Sequence, residues 1–430
     1  MLYSILFLTR LINLSGGLLC LIIVAASYNS VEAGRIYTLL SLVGAASLFE
    51  LGLSTLVLQR ASQLTRDQSW DPLELANNWD LITSTFGHYL VLIGALACVL
   101  LVVLLPIGLW VILGVFKEPL GGSGVWAWLL VCVVMALGLL TALLLNTLDG
   151  LGQLEIVAKV RAVQSIASLF GLSLSLLCGV GYSSVTIQLT CSLIAGWVAI
   201  WSMNAQFVKM LIRKVHLRLL PGRAVLDWPL QWRLSLSFLS GYFSNQAWVV
   251  AITLMGAVAL AGHVAMTLQV LTAAVGFAIT PIAARLPTLS GLAHRGGRQE
   301  YLLLAARLTR HAVLIFMMVT VMVFGGYFFS QLFMPGLHSK MLPSGPLILI
   351  AASAPLMLCL SATTIFNQSL GRDDLYVVSL FRIAAPIALI MFIGRDLGAW
   401  SFSLAFTSII LLSTLMGLAI HRRSLSRIFS

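Results

Sequence analysis

Arg10, Glu50 and Arg382 each interrupt a long apolar run, and His88 and His263 stand in two more. An ionised side chain in mid-span costs ~2.5–3.5 kcal/mol on insertion scales, so it persists where it meets water, a partner or a ligand. Arg60 and Arg285 close the inner ends of the second and eighth runs. Several arginines with few acids would attract a polyanion, because the guanidinium fork suits phosphate oxygens in two-point contact. Each residue also has a plainer reading. Arg10 and Arg382 can snorkel, Glu50 can form a buried ion pair with Arg10 or Arg382, and His263 can be merely interfacial. Arg60 and Arg285 can belong to the topology signal alone. The amides Asn13, Gln59, Gln188, Asn204, Asn245, Gln246, Gln269 and Asn367 read first as interhelical hydrogen bonds.

The elements that must position these residues are membrane spans. The chain is 60% hydrophobic with a mean hydropathy of +1.02. A span needs about 20 mainly apolar residues to cross ~30 Å of hydrocarbon. Twelve such runs occur, at approximately 4–28, 34–58, 81–105, 125–148, 156–180, 184–208, 233–256, 258–284, 311–334, 343–366, 374–393 and 397–420. Of the 25 Lys and Arg residues, 19 fall in the gaps after even-numbered runs and in the tail, against 4 in the other gaps. That bias places both termini in the cytoplasm. The net charge of +11 is thus a topology signal and gives no reason to expect nucleic acid as a partner.

The expected fold is an all-α polytopic membrane protein, with twelve transmembrane helices in two six-helix bundles around a central cavity. The bundles are expected at 1–208 and 233–430, joined by a cytoplasmic amphipathic connector at 209–232. No soluble domain fits. The segment 60–80, with Trp70, Leu73, Leu75 and Trp79 among acids and amides, suits a short interfacial helix. All six cysteines lie in apolar runs without a CxxC pair and read as core hydrophobes. With no basic flank before it and Arg10 inside it, the first run reads as a retained span, not a cleaved leader.

Two weak internal echoes hint at a duplicated plan. Ala33-Gly34 falls on Ala261-Gly262 at an offset of 228, and Asn146…Leu151-Gly152 echoes Asn367…Leu370-Gly371 if one gap is allowed. Pro106, Pro281, Pro355 and Pro386 lie in spans, where proline removes a backbone bond and bends a helix. Bent helices suit a protein that rocks between inward-open and outward-open states.

The segment 32–63, EAGRIYTLLSLVGAASLFELGLSTLVLQRASQ, resembles the corresponding region of Wzx-type polysaccharide flippases in the multidrug/oligosaccharidyl-lipid/polysaccharide exporter superfamily. Their Phe-(Asp/Glu)-Leu-Gly-Leu stretch is matched by Phe49-Glu50-Leu51-Gly52-Leu53, and 261–300 looks like their eighth span. Position 263 departs from the pattern, with His where relatives often carry an aromatic residue. The resemblance implies alternating access that moves an undecaprenyl-diphosphate-linked oligosaccharide between leaflets of the bacterial inner membrane, for O-antigen-like surface polysaccharide. By position it implies Arg10, Arg60, Arg285, Arg382 and His263 as substrate-binding candidates. Glu50 is the candidate for coupling to a proton or sodium gradient. The lipid bilayer and the lipid-linked oligosaccharide are the expected partners, with a polysaccharide polymerase and chain-length machinery as further candidates.

Two other readings compete. A cation-coupled multidrug exporter of the same superfamily would want an acidic cavity. A membrane polymerase or ligase would want a large outward loop, and the outward gaps here are short. The sequence also holds no paired carboxylates, metal-ligand cluster, nucleophilic triad or phosphate-binding loop, so an enzyme is not expected and no resident cofactor or metal is assigned.

Overall fold

The computed structural model describes residues 20–428 except 21, 25, 51, 65–71, 216–220, 295–296, 334–338, 371–374 and 394–397. Among the described residues every regular element is a helix. This follows from the apolar composition, since in hydrocarbon a helix satisfies its backbone polar groups within its own segment. Among the described residues, eight helices are long and apolar enough to cross a bilayer, and Tyr376–Phe392 is a shorter apolar one. The second and seventh runs fold as helices broken in mid-course, and only the end of the first run is described. The chain is an all-α polytopic membrane protein.

By internal contacts the chain divides into two compact units, one of Met1–Ile23 with Leu39–Phe238 and the other of Val24–Thr38 with Leu239–Ser430. The first helix, α1 (Ser30–Gly44), is shared between them. In the first unit, α2 (Ala46–Glu50) and α3 (Leu53–Leu64) precede α4 (Pro72–Trp110), whose end continues as a π turn at Val111–Val115. Then come α5 (Ser123–Gly150), α6 (Leu154–Leu177) and α7 (Ser184–Lys214). Helix α5 packs on α3, α4 and α7, while α6 lies along α7. Gly150 allows the backbone of α3 to approach α5 closely. A β-carbon there would lie 2.5 Å from both the Ala61 β-carbon and the Leu58 carbonyl oxygen.

Of the interfacial helix expected at 60–80, residues 65–71 lie outside the described residues, and 72–80 do not form a separate element. The helix that forms the third span already begins at Pro72, and Trp79 lies inside the core of the unit. Its ring meets Phe207 edge-on at 5.5 Å. The acids and amides around Trp79 masked a continuous helix with one buried aromatic face.

Helix α8 (Pro221–Asn245) leads into the second unit, followed by α9 (Ala247–Leu254) and α10 (Val258–Ala278). The short α11 (Thr280–Ala284) and α12 (Leu286–His294) continue the line of α10. The unit closes with α13 (Arg298–Phe333), α14 (Ser344–Ser369), α15 (Tyr376–Ile393) and α16 (Ala399–Ile428). Helix α16 packs on α14 and α15, and α10 packs on α9, α13 and α14.

The breaks do not all follow the prolines. Pro281 stands at the start of α11, just past a break, but Pro106, Pro355 and Pro386 sit inside continuous helices. Two other breaks fall at Gly52, whose φ of 70° only glycine adopts without strain, and at Gln246.

The Ala-Gly echo has a structural counterpart. Gly34 and Gly262, the two equivalent glycines, meet where α1 crosses α10. A β-carbon on Gly262 would lie 3.0 Å from the Gly34 Cα, and one on Gly34 would lie 2.0 Å from the Val258 carbonyl oxygen. Further along α1, the Thr38 and Thr253 hydroxyls share a hydrogen bond of 2.7 Å.

Backbone cannot move aside as a flexible side chain can. Gly34→Ala is therefore expected to lower stability by ~1–3 kcal/mol through overpacking. Gly94→Ala, where a β-carbon would meet nothing, should not lower it. Thermal melting of both variants in one detergent checks this, and equal midpoints would refute the close crossing.

Candidate functional site

The candidate residues fall into both units. Arg10 lies outside the described residues. Glu50 ends α2 at the break before Gly52, half-buried, and its Oε2 accepts a 2.8 Å hydrogen bond from Ser54 Oγ across that break. The break displaces Glu50 from a regular helical register and pairs it with a neutral hydroxyl. Arg60 is half-buried on α3, between Val57 and Ala61. Those two line a small, mostly apolar cavity with Thr85, Tyr89 and Thr147. The two threonine hydroxyls there are already spent on carbonyls of their own helices.

In the second unit, His263 sits on the first turns of α10 beside Gly262. Its buried Nε2 has no hydrogen-bond partner among the described residues. Arg285 stands exposed at the junction of α11 and α12. Arg382 lies in the second turn of α15, half-buried, and its Nε donates a 2.8 Å hydrogen bond to Ser244 Oγ in the last turn of α8. Ser244 passes its own proton to the Ser240 carbonyl oxygen at 2.6 Å. The Ser244 hydroxyl was not singled out in the sequence, because a serine near the end of an apolar helix carries no distinguishing pattern.

Among the amides, Asn13 and the Gln59 side chain lie outside the described residues, and Gln188, Asn204 and Asn367 bond to residues of other segments. Gln188 Nε2 donates to Ser168 Oγ at 3.1 Å, and Asn204 Nδ2 donates to Gln153 Oε1 at 3.2 Å. Asn245 is the exception. Its Nδ2 turns back to the Gly241 carbonyl of its own helix, and its Oδ1 is buried without a partner.

Two polar clusters went unrecognised in the sequence. In the first unit Arg161 Nη2 donates to Asn146 Oδ1 at 3.1 Å and lies 3.7 Å from Asp149 Oδ2. In the second, His421 Nδ1 and Asn367 Oδ1 are 2.7 Å apart, with the imidazole stacked on Phe366. Tyr301 adds a 2.9 Å bond to Ser369 beside them. Away from the spans, Lys340 donates to the Tyr28 carbonyl oxygen. Burial pushes its ammonium below the ordinary lysine value, and nearby Glu32 partly offsets this.

No family model and no curated protein matches the sequence. Solved structures match over nearly the whole chain. An inward-facing multidrug resistance MATE family transporter of the MOP superfamily aligns at a TM-score of 0.67 and 14% identity, covering 98% of both chains. A MATE protein in complex with MaL6 aligns at 0.60 and 15% identity, over 99% of this chain and 96% of that one. A MOP superfamily transporter from Pyrococcus furiosus, described as having a binding pocket of reverse polarity that suggests a different function, aligns at 0.56 and 14%, over 100% and 96%. At these identities the likeness is one of fold, and the chain shares the fold of MOP superfamily transporters.

An unpaired buried polar atom costs free energy, whereas removing one member of a bonded pair strands the other. His263→Leu should therefore leave thermal stability unchanged or raised, while Asn367→Leu, which strands His421, should lower it by ~1–3 kcal/mol. Melting in detergent checks both, and a large loss for His263→Leu would show that its imidazole has a structural partner.

Proposed function

We propose that this protein is an alternating-access membrane transporter whose substrate is anionic, in the specific case an undecaprenyl-diphosphate-linked oligosaccharide moved to the outer leaflet for surface polysaccharide synthesis. The observation that carries the anionic reading is Arg382. It is a guanidinium at span depth whose one hydrogen-bond partner among the described residues is a neutral hydroxyl. The ion pairs described in the molecule, Lys159 with Glu155 and Arg161 with Asp149, lie elsewhere. Arg10, Arg60, Arg285 and His263 are further candidates for contacts along the transport path. The bacterial inner membrane, with both termini cytoplasmic, is the setting the charge bias supports.

The physics of the task agrees with this reading. A diphosphate and its sugars cannot enter hydrocarbon without losing their hydrogen bonds to water, whereas a polyprenyl tail can stay in lipid. Moving two negative charges outward against an inside-negative potential of 100 mV is downhill by roughly 4.6 kcal/mol. Coupling to a proton or sodium gradient through Glu50 would add to that drive.

A second reading is favoured by the structural neighbours themselves, which are named multidrug transporters. In that case the chain is a cation-coupled drug exporter, and Glu50 with Ser54 is the natural cation site. The same fold also frames a transporter described as having a pocket of reverse polarity, so fold alone does not choose the sign of the substrate.

Proteoliposomes separate the two. Under the anionic reading, a diphosphate-linked oligosaccharide becomes accessible to an impermeant glycan-modifying reagent only when the protein is present. Arg382→Gln should cut that rate at least tenfold with normal insertion. Efflux of organic cations, lost in Glu50→Gln, together with no flipping of diphosphate-linked glycan, would establish the drug exporter instead. Ion dependence that survives Glu50→Gln would remove Glu50 from any coupling role.

A further inference from the structure

The gapped echo noted around Asn146 and Asn367 is better read without a gap. Asn146, Gly150, Leu154, Val157 and Arg161 recur as Asn367, Gly371, Leu375, Val378 and Arg382, all at one offset of 221. The structure supports this register. The asparagines end α5 and α14, the valines are both 3% exposed, and the arginines stand in the second turn of α6 and α15. Arg161 and Arg382 are thus equivalent positions of a duplicated helix–loop–helix, and what holds each can be compared directly.

In the first copy the arginine is consumed by its own motif. Arg161 donates to Asn146 and faces Asp149. In the second copy neither partner is met among the described residues. The position of Asp149 is taken by Leu370, and Asn367 is engaged instead by His421. Arg382 turns to Ser244 of α8 through Nε alone. Its two Nη groups, which form the end-on fork, have no partner among the described residues. An unneutralised guanidinium at span depth is costly unless a counter-charge or water meets it. Of these two arginines, one is held by its own motif, and the other meets no carboxylate among the described residues.

From this asymmetry we infer that the second unit alone carries the diphosphate subsite. The Arg382 Nη fork receives two phosphate oxygens, and Ser244 holds the guanidinium in orientation. This rests on the anionic-substrate reading above and narrows it. Arg161 takes no part in binding, although it is the same residue at the same place in its copy.

The test is calorimetric titration of inorganic pyrophosphate, and of farnesyl diphosphate beside farnesol, into the purified full-length protein in detergent. Arg382→Gln should weaken pyrophosphate binding roughly 10- to 100-fold, the worth of a charge-assisted pair of hydrogen bonds. Arg382→Lys, which keeps the charge and loses the fork, should fall between. It also serves as the test if Arg382→Gln does not fold. Arg161→Gln should melt lower than wild type yet bind pyrophosphate unchanged. Wild-type affinity in the Arg382 variants, or an equal loss in folded Arg161→Gln, would overturn the inference. Tighter binding of farnesyl diphosphate than of pyrophosphate assigns the subsite to a lipid headgroup, and equal affinity assigns it to a soluble diphosphate; both support it. Arg382-dependent pyrophosphate binding in a protein that flips no diphosphate-linked glycan would sink the flippase reading and leave this subsite standing. Flipping that persists with pyrophosphate affinity unmoved by Arg382 would do the reverse.

Discussion

Hydrocarbon admits no unpaired backbone group, and this constraint organises the whole molecule. The helices satisfy their own N–H and C=O groups, so the remaining question for each span is what its polar side chains do. Most serine and threonine hydroxyls answer locally, by donating to a carbonyl three or four residues back, as Thr83, Thr147, Ser175, Thr267 and Thr363 do. They are thereby spent as donors. Among the described residues, bridging between helices falls to a smaller set of amides, an imidazole, guanidinium groups and a few hydroxyls such as the Thr38–Thr253 pair. The polar chemistry of the spans is concentrated in those few contacts, and each has an identifiable partner or a conspicuous lack of one.

Close helix crossings obey the same logic from the apolar side. With lipid as apolar as the helix surface, association depends on packing and on interhelical hydrogen bonds, so small residues mark where backbones approach. Gly34 against Gly262, and Gly150 against the α3 backbone, are such places. At Thr38 and Thr253 the two means combine, because a hydroxyl pair ties α1 to α9 a turn along from the glycine contact.

How much of this was legible in the sequence depends on the scale of the signal. Span length and hydropathy are summed over about twenty residues, so single misleading positions average out and the helices stand where the apolar runs place them. The breaks rest on one or two residues each. Gly52 needs a left-handed conformation that many glycines in this chain do not adopt, and Gln246 has no breaking propensity of its own, so neither was readable. Conversely Pro106, Pro355 and Pro386 look like breakers and are carried within intact helices. Trp79 was misplaced because local polarity outweighed a helical periodicity that begins at Pro72. Among site residues, Glu50, His263 and Arg382 stood out by their charge or ring in an apolar setting. Ser244, Asn146 and His421 did not, since what matters about them is which neighbour they touch. The offset of 221 held part of that information, but admitting a gap at the Leu-Gly pair hid the correspondence of the two arginines.

That correspondence bears on how one fold can frame pockets of different polarity. The frame itself is indifferent to charge, as its occurrence in multidrug transporters and in a transporter described as having a pocket of reverse polarity illustrates. The sign must be set by a few side chains left without internal compensation. In a repeated frame, an arginine present in both copies can be neutralised in one and not in the other by a single change; on the inference above, Leu370 stands where the first copy has Asp149, and no described carboxylate replaces it. The neutralised copy keeps a pair whose mutual attraction offsets part of its desolvation, and a substrate has nothing to gain there. The released copy keeps the desolvation cost without the pairing, which is tolerable where a transient anion supplies the missing charge. A transporter has use for such a site, because a resident counter-ion would compete with its cargo on every cycle. Under the proposed reading, a half-satisfied arginine binds when an anionic cargo arrives and, among the described residues, has no carboxylate to displace when it leaves.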